Sequence, residues 1–447
     1  MARVPNVAAT PIKTSPYSGW VRDEMHDVLP APASEVGLVG WVRQNLFSSI
    51  PNTILTLIGV YLIYLLVPPL INFAIVHAVW NGEDREACLG THGACWAYVK
   101  AYFSQFIYGR YPEPERWRVD VVFFILAAGL APLLIPSAPF KRANTIFMLL
   151  VFPVASFILL TGGNTDPGAW AWISLAVIAI VAFAIVLLPV FAGQTDFASS
   201  SKRLGVVAGI IAIPAVIMLL FSVDFGLEYV ETANWGGLLV TLVIAITGIA
   251  ASLPFGVALA LGRRSQLPIV RLMSVIFIEF WRGVPLITVL FMSSVVLPLF
   301  MNEGVTIDKL FRVLVGVTLF ASAYMAEVVR GGLQAIPKGQ YEGADALGLT
   351  YWQKMYLIVL PQALKLVIPG IVNTFIGLFK DTTLVLIVGL FDLLGQIQSS
   401  FTDPTWSTPT QGHTGYLFAA LVFWVFCFGM SRYSIFMEKR LDTGRKR

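Results

Sequence analysis

The chain is poor in charged residues, cysteine and histidine, and each shortage excludes a class of protein. Charged residues make up 13% of its 447 residues, against about 25% in soluble domains. A water-soluble globular fold is therefore excluded. The 4 histidines and 3 cysteines show no metal-ligand spacing, and neither a nucleophile elbow nor a pair of catalytic carboxylates is recognisable. These absences argue against a metal site and against an integral membrane enzyme.

Three further signals are missing. No G-x-x-x-x-G-K-[ST] phosphate loop occurs, so another subunit must bind ATP if ATP is used. The hydropathy shows neither a duplicated half nor matched broken helices, which argues against a secondary transporter built from inverted repeats. The N-terminal region lacks the compact apolar stretch of a signal peptide, so we expect the first span to be an uncleaved anchor.

What the sequence has instead is a series of long apolar runs. Apolar residues make up 57% of the chain, and the mean hydropathy is +0.76. A helix of about 20 apolar residues spans a bilayer, and about ten runs approach that length. The predicted fold is therefore all-α, a polytopic membrane protein. The candidate spans are Ile54–Val76, Val119–Ile135, Ile146–Leu160, Trp170–Phe191, Leu204–Phe221, Leu238–Leu261, Val275–Phe300, Phe311–Val329, Leu366–Leu390 and Leu417–Phe436.

Basic and acidic residues alternate between successive loops. Because short cationic loops resist translocation, the basic side is predicted to be cytoplasmic; we call it the inner side and the opposite one the outer side. The inner residues are Lys141, Arg142, Lys202, Arg203, Arg263, Arg264, Arg271, Lys338, Lys354, Lys439, Arg440, Arg445, Lys446 and Arg447, and the outer ones are Asp166, Asp224, Glu228, Glu231, Glu303, Asp308 and Asp403. Both termini are predicted to be cytoplasmic. This topology explains the net charge of +4 better than a nucleic-acid partner does.

A long outer loop over residues 79–118 contains two of the cysteines. Cys88 and Cys95 are close enough in sequence to form a disulfide in an oxidising compartment, or they are two unpaired thiols without a chemical role. The sequence leaves both readings open. Cys427 falls in the last span, where we expect it simply to be packed.

The inner segment 338–361 is much longer than a helical hairpin needs. A short helix is predicted to start at Glu342, Gly343 and Ala344 and to end in a left-handed cap at Gly348. Thr350 is predicted to cap a second helix, with Gln353 completing a capping box and Pro361 ending the helix. The result is a helix-turn-helix across the cytoplasmic face.

The spacing in this segment resembles the signature of type I ABC importer permeases. That signature is Glu-Ala-Ala, three residues, Gly, nine residues, Ile, one residue, Leu-Pro. It is matched by Glu342, Gly343, Ala344, Gly348, Ile358, Leu360 and Pro361, with Gly343 in place of the usual second Ala. The resemblance implies that the segment is a coupling helix docked in a cleft of an ATPase subunit.

The segments that begin at Trp235, Phe280, Ser322 and Phe379 look like the polar amino-acid subfamily, and within it like the M-type subunits of general L-amino-acid systems. The resemblance implies a permease core over residues 235–437. The remaining parts are a cytoplasmic tail (1–48), a set of extra transmembrane helices (49–234) and a basic cytoplasmic tail (438–447).

The resemblance also implies the chain's partners and its location. It predicts a transport subunit of a bacterial inner membrane that moves polar or general L-amino acids and is not itself an enzyme. Separate ATPase subunits hold ATP and Mg, a periplasmic binding protein delivers the amino acid, and a second permease of the Q type completes a heterodimer. No cofactor is expected on this chain.

Several ionisable or polar residues lie within the predicted spans, where each charge costs at least about 2.5–3.5 kcal/mol. A zwitterionic amino acid needs a cavity with both charge signs, so these residues are candidates for the substrate path. They are Glu279, Arg282, Glu327, Arg330, Asn373, Lys380, Asp381 and Thr382.

Two other readings of these charges stay open. Glu279 with Arg282, and Glu327 with Arg330, are each three residues apart and can form ion pairs that only fix helix packing. An ion-coupled secondary transporter could also use such charges, although it leaves the spacing between Glu342 and Pro361 unexplained.

Overall fold

The computed structural model describes residues 37–165, 168–191, 197–300 and 307–441, with the side chains at 188–191, 197–200 and 202 left out. Asp166, Glu303, Arg445, Lys446 and Arg447, the Lys202 side chain, and most of the N-terminal tail lie outside the described residues. Within the described part, nine helices are long and apolar enough to cross a membrane, and one bent helix pair brings the number to ten. The predicted all-α membrane fold is confirmed.

The described residues of the first half of the chain form eight α-helices. They are α1 (Gly37–Asn45), α2 (Ile50–Ile71), α3 (Trp96–Tyr108), α4 (Arg116–Leu134), α5 (Lys141–Ile146), α6 (Phe152–Thr161), α7 (Gly168–Phe191) and α8 (Phe197–Ser222). The π-helical turn Asn72–Val76 extends α2, so the first span is Ile50–Val76. The π-helical turn Phe147–Val151 joins α5 to α6, so these two helices form the single span Lys141–Thr161.

In the second half, the part that the structure describes forms ten further α-helices. They are α9 (Gly237–Arg263), α10 (Pro268–Gly283), α11 (Leu286–Phe291), α12 (Lys309–Ala335), α13 (Lys338–Ala346), α14 (Tyr351–Lys354), α15 (Leu360–Leu366), α16 (Ile368–Asp381), α17 (Leu393–Ser400) and α18 (Gln411–Leu441). The chain divides into two compact units between Asn72 and Phe73, and each is described by itself.

The smaller unit contains α1 and most of the first span. Ser49 caps α2 by accepting a hydrogen bond from the Asn52 backbone, and the Thr56 hydroxyl donates to the Leu46 carbonyl. Pro51 lies in the first turn of α2, where a backbone N–H has no partner within the helix, so the N–H that proline lacks is not needed. No residue of α2 is buried within the protein, so its apolar surface suits contact with lipid.

The larger unit is built around α9 and α12. Small residues at the contact allow the two backbones to approach closely. A Cβ at Gly256 would lie 2.6 Å from the Met325 side chain, and one at Gly248 would lie 2.9 Å from Leu378 on α16. The core of this unit therefore depends on glycine at these helix crossings.

The predicted span Val275–Phe300 is not one straight helix. It bends by 103° between α10 and the helical stretch Leu286–Phe300. Gly283 ends α10, and Pro285 precedes α11 and cannot donate a backbone hydrogen bond, so the helical ladder is interrupted here. As a result, α10 crosses the inner end of α9, where a Cβ at Gly262 would lie 2.3 Å from the Ser274 hydroxyl oxygen.

The outer loop folds onto the second half of the chain rather than extending away from it. Cys88 and Cys95 are joined by a disulfide, and both are buried. The α3 helix that follows packs on α9, α17 and α18. The hydroxyl of Tyr98 hydrogen-bonds to the Ser400 hydroxyl, and that of Tyr102 donates to the Asp403 carboxylate.

Candidate functional site

The segment predicted to contact an ATPase forms two helices at the inner side. The α13 helix follows Pro337 and so begins at Lys338, four residues before the predicted start at Glu342. Gly348 then adopts a left-handed conformation with φ of 69°. Thr350 and Gln353 form the predicted capping box at α14. A salt bridge between Lys354 and Asp345 holds the two helices together.

The prediction that Pro361 ends the second helix is wrong. The π-helical turn Met355–Val359 leads directly into α15, and Pro361 lies in the first turn of that helix. Proline is tolerated there because the first N–H groups of a helix have no intrahelical partner. The second helix of the segment is therefore continuous with the chain that returns towards the membrane.

The seven signature residues divide into an exposed and an inward set. Glu342, Gly343, Gly348 and Pro361 are exposed, Ile358 and Leu360 are partly buried, and Ala344 is buried. A Cβ at Gly343 or Gly348 would meet no atom within 4 Å. The exposed side of α13 therefore has room for a closely packed partner. The buried Ala344 packs the opposite side of the helix against the rest of the protein.

Four of the predicted path residues, Glu327 among them, lie close together, and Arg263 joins them. Arg263 donates through one nitrogen to Glu327 at 2.8 Å and to Glu279 at 2.9 Å. Arg330 donates to the second Glu327 oxygen at 2.6 Å, and Arg282 lies 4.0 Å from the same oxygen. We call these five residues the Glu327 cluster. It joins the end of α9, the last turns of α10 and the C-terminal part of α12.

Two details of the cluster differ from the sequence interpretation. Glu279 pairs with Arg263 on another helix and not with Arg282 on its own, because α10 crosses the end of α9. Arg282 instead reaches towards Glu327, and its guanidinium lies 5.8 Å from the centroid of the Tyr324 ring. From the sequence, Arg263 was predicted only to be one of the basic residues on the inner side. In the sequence, the position of Arg263 at the end of a span was the available signal, because its two carboxylate partners are 16 and 64 residues away.

The other path residues lie on α16 or directly after it. Asn373 and Lys380 are exposed, Asp381 is half-buried, and Thr382 is buried with its hydroxyl donating to the Phe379 carbonyl. Among the residues described, no hydrogen bond or ion pair joins this group to the Glu327 cluster. The eight path residues therefore form two separate groups.

Comparisons with known proteins match nearly the whole chain to one family. Residues 252–443 match the family described as binding-protein-dependent transport system inner membrane component. Over 94% of its length the chain is 47% identical to the "Inner membrane amino-acid ABC transporter permease protein YhdY" of Escherichia coli (strain K12), and the alignment covers 97% of that protein. The chain belongs to the amino-acid ABC transporter permeases.

This permease is also similar to a second curated protein over nearly its whole length, and to one solved structure over just under half of its length. It is 43% identical over 96% of its length to the "Glutamate/glutamine/aspartate/asparagine transport system permease protein BztC" of Rhodobacter capsulatus, covering 99% of that protein. A chain from "Crystal structure of an amino acid ABC transporter with histidines" covers 46% of this permease and 92% of itself, at 28% identity and a TM-score of 0.41.

The family membership fixes the general activity. This permease is the membrane subunit of an amino-acid ABC importer and a multi-pass protein of the inner membrane. Importers of this family work with an ATPase and a binding protein. The N-terminal half is shared with YhdY and BztC, because these two relatives align with 94% and 96% of this chain.

Proposed function

We propose that α13 is the contact through which ATPase subunits drive this permease, and that both termini lie in the cytoplasm with it. The observation that carries this proposal is the open face of α13. Glu342 and Gly343 are exposed with free space above Gly343, while Lys354 and the buried Ala344 hold the helix in place. ATP and Mg belong to the ATPase subunits, since this sequence has no phosphate loop.

The Glu327 cluster supplies the charges of the substrate path. Arg263, Arg282 and Arg330 contribute three positive charges against the two negative charges of Glu279 and Glu327, which leaves a net +1. Arg282 is the arginine held least tightly, at 4.0 Å from Glu327. A free α-carboxylate can therefore bind Arg282 without breaking the shorter pairs. The name of the relative BztC supports acidic and amide L-amino acids as the substrates.

A second permease, of the Q type, covers the exposed polar face of α16. Asn373 and Lys380 are seven residues apart, so they lie on the same face of the helix. Both are exposed within the span Ile368–Val388, where a lysine facing hydrocarbon costs about 2.5–3.5 kcal/mol. A neighbouring subunit or a water-filled path between two permeases removes that cost.

The test is reconstitution of the complete assembly with the variant Glu342→Lys. We expect the variant to insert normally, to lose its ATPase on purification and to lose ATP-dependent uptake of L-glutamate. Glu438→Lys is the matched control, because Glu438 is also exposed near the inner end of its helix. ATPase retention together with normal uptake in Glu342→Lys contradicts the proposed contact. Uptake that persists after ion gradients are collapsed, with ATP present, separates this mechanism from ion coupling.

A second experiment addresses the substrate path. Arg282→Gln is expected to lower uptake of L-glutamate while the ATPase stays bound. Lys380→Ala and Asp381→Ala are expected to lower uptake or to change the range of amino acids accepted. An unchanged rate and substrate range in all three variants assigns these residues to helix packing alone.

A further inference from the structure

Two adjacent arginines at the end of α9 connect the α13 segment to the Glu327 cluster. Arg263 is the last residue of α9, and Arg264 follows it. Their side chains make contacts with different parts of the protein. Arg263 bonds to Glu279 and Glu327, whereas Arg264 bonds to Leu333 and Tyr341. Consecutive Cα atoms are fixed about 3.8 Å apart, so a shift of the backbone at one arginine also shifts the other.

The contacts of Arg264 attach α13 to the ends of α9 and α12. The Arg264 guanidinium donates to the Leu333 carbonyl at 3.0 Å and to the Tyr341 hydroxyl at 3.0 Å, and it lies 5.4 Å from the centroid of the Tyr341 ring. The Tyr341 hydroxyl donates to the same carbonyl at 3.1 Å. Leu333 is in the last turn of α12, where carbonyls lack helical partners. Tyr341 directly precedes the exposed Glu342.

We propose that Arg263 and Arg264 are positioning residues that transmit the movement of α13 to the substrate path. A displacement of α13 acts through Tyr341 on Arg264, and through the backbone on Arg263. Arg263 then shifts Glu327 and Glu279, and Glu279 lies on α10, the helix that ends at the 103° bend. Closure of the ATPases is thereby linked to the position of Arg282. This inference rests on the proposed docking of α13.

The chain supplies a matched control for this link. Gln340, one residue before Tyr341, is hydrogen-bonded at 3.0 Å to Gln362 on α15. This contact also attaches α13 to the membrane helices, but it does not involve Arg264 or the Glu327 cluster. Its loss disturbs the same helix without cutting the proposed link.

The experiment measures L-glutamate transported per ATP hydrolysed by the complete assembly in liposomes. We expect Arg264→Gln to keep its ATPase and hydrolyse ATP but to lower this ratio about five-fold, the scale of a weak coupling between sites. Tyr341→Phe keeps the ring but loses the hydroxyl, and it is expected to lower the ratio of L-glutamate to ATP about two-fold. The double variant is expected to be no worse than Arg264→Gln, because both changes cut one link. Gln362→Ala, which removes the same contact from the α15 side, is expected to keep the wild-type ratio, and Arg264→Lys to recover part of it.

Other results overturn the proposal. A wild-type ratio in both Arg264→Gln and Tyr341→Phe shows that this contact transmits nothing. An equal loss in Gln362→Ala shows a general disturbance of α13 and not a specific link. Failure of the docking proposal is distinguishable, since it appears as unchanged ATPase binding in Glu342→Lys.

Discussion

The helices α7 and α12 show how differently two membrane helices of one chain are used. The most apolar stretch of α7 has a mean hydropathy of 2.6 and no residue buried within the protein, whereas α12 has only 1.5 and half of its stretch is buried. The more apolar helix is thus the less buried one. Lipid tails are as apolar as leucine, so hydrophobicity alone does not drive helices together in a membrane. Close packing of small residues does.

The same contrast recurs between α2, α7 and α8 of the first half and the core helices of the second half of this permease. The stretches of α2, α7 and α8 bury no residues, while those of α9 and α16 bury 39% and 33%. The second half also contains the Glu327 cluster and α13. The first half also contains packed elements: the α4 stretch is 28% buried, and the outer loop with α3 packs on the second half. The following predictions test this division, beginning with the largest effect.

Replacing Gly256 by leucine is expected to disrupt the α9–α12 contact. The new side chain would overlap Met325, which lies 2.6 Å from the position of a Cβ. Overpacking costs about 1–3 kcal/mol and sometimes more, so the melting temperature in detergent is expected to fall by roughly 1–3 °C for a chain of this length. Gly209→Leu in α8 is the control, because a Cβ there meets nothing within 4 Å. Equal losses in the two variants contradict the division into a packed half and a lipid-facing half.

Asp392 is expected to make the outer end of the packed half sensitive to pH. Its buried carboxylate caps α17 by accepting hydrogen bonds from the Leu394 and Gly395 backbones, and burial raises the pKa of Asp392 from 3.8 to about 6. A raised folded-state pKa adds stability that is complete below the unfolded pKa near 3.8 and is lost as pH rises through about 6. The two-unit difference corresponds to about 3 kcal/mol.

Asp392→Asn cannot titrate and so is expected to remove this pH dependence. Melting temperatures measured between pH 4 and pH 7 test the prediction. Parallel curves for the wild type and Asp392→Asn would show that the carboxyl group does not titrate in this range.

Removing the disulfide is expected to have a smaller effect, confined to the outer loop. Cys88 and Cys95 are separated by seven residues, and closing a loop of that size stabilises a fold by about 2 kcal/mol in the chain-entropy description. The double variant Cys88→Ala/Cys95→Ala is expected to speed hydrogen exchange in α3 while α7 and α8 stay unchanged. If exchange also rises in α7 and α8, the loop belongs with the first half after all.

Tyr102→Phe is expected to have the smallest effect. It removes the hydrogen bond to Asp403 that fastens α3 to the turn after α17, and this bond lowers the pKa of the Asp403 carboxyl. A bond of this type contributes about 1 kcal/mol. The stabilisation is present above the normal pKa of Asp403 and is lost as pH falls through the lowered one. A melting-temperature difference that stays constant down to acidic pH contradicts this account.

The sequence by itself determined the features that depend on local pattern. Span lengths follow from hydropathy, and the turn at Gly348 and the capping box at Thr350 follow from residues close together in the chain. The signature from Glu342 to Pro361 identified the family for the same reason, since it is a matter of spacing. Even here Pro361 was misread, because the π-helical turn before it is not visible in residue type alone.

Only the tertiary structure decided which charges meet. Glu279 pairs with Arg263, and Arg282 turns towards Glu327, because α10 bends away from α11 and crosses the end of α9. The sequence shows that Gly283 and Pro285 interrupt a helix but not the direction the chain then takes. Helix crossing angles are set by contacts between residues far apart in the chain, such as Gly256 with Met325. Local spacing predicts pairs on one helix, whereas packing decides the pairs between helices.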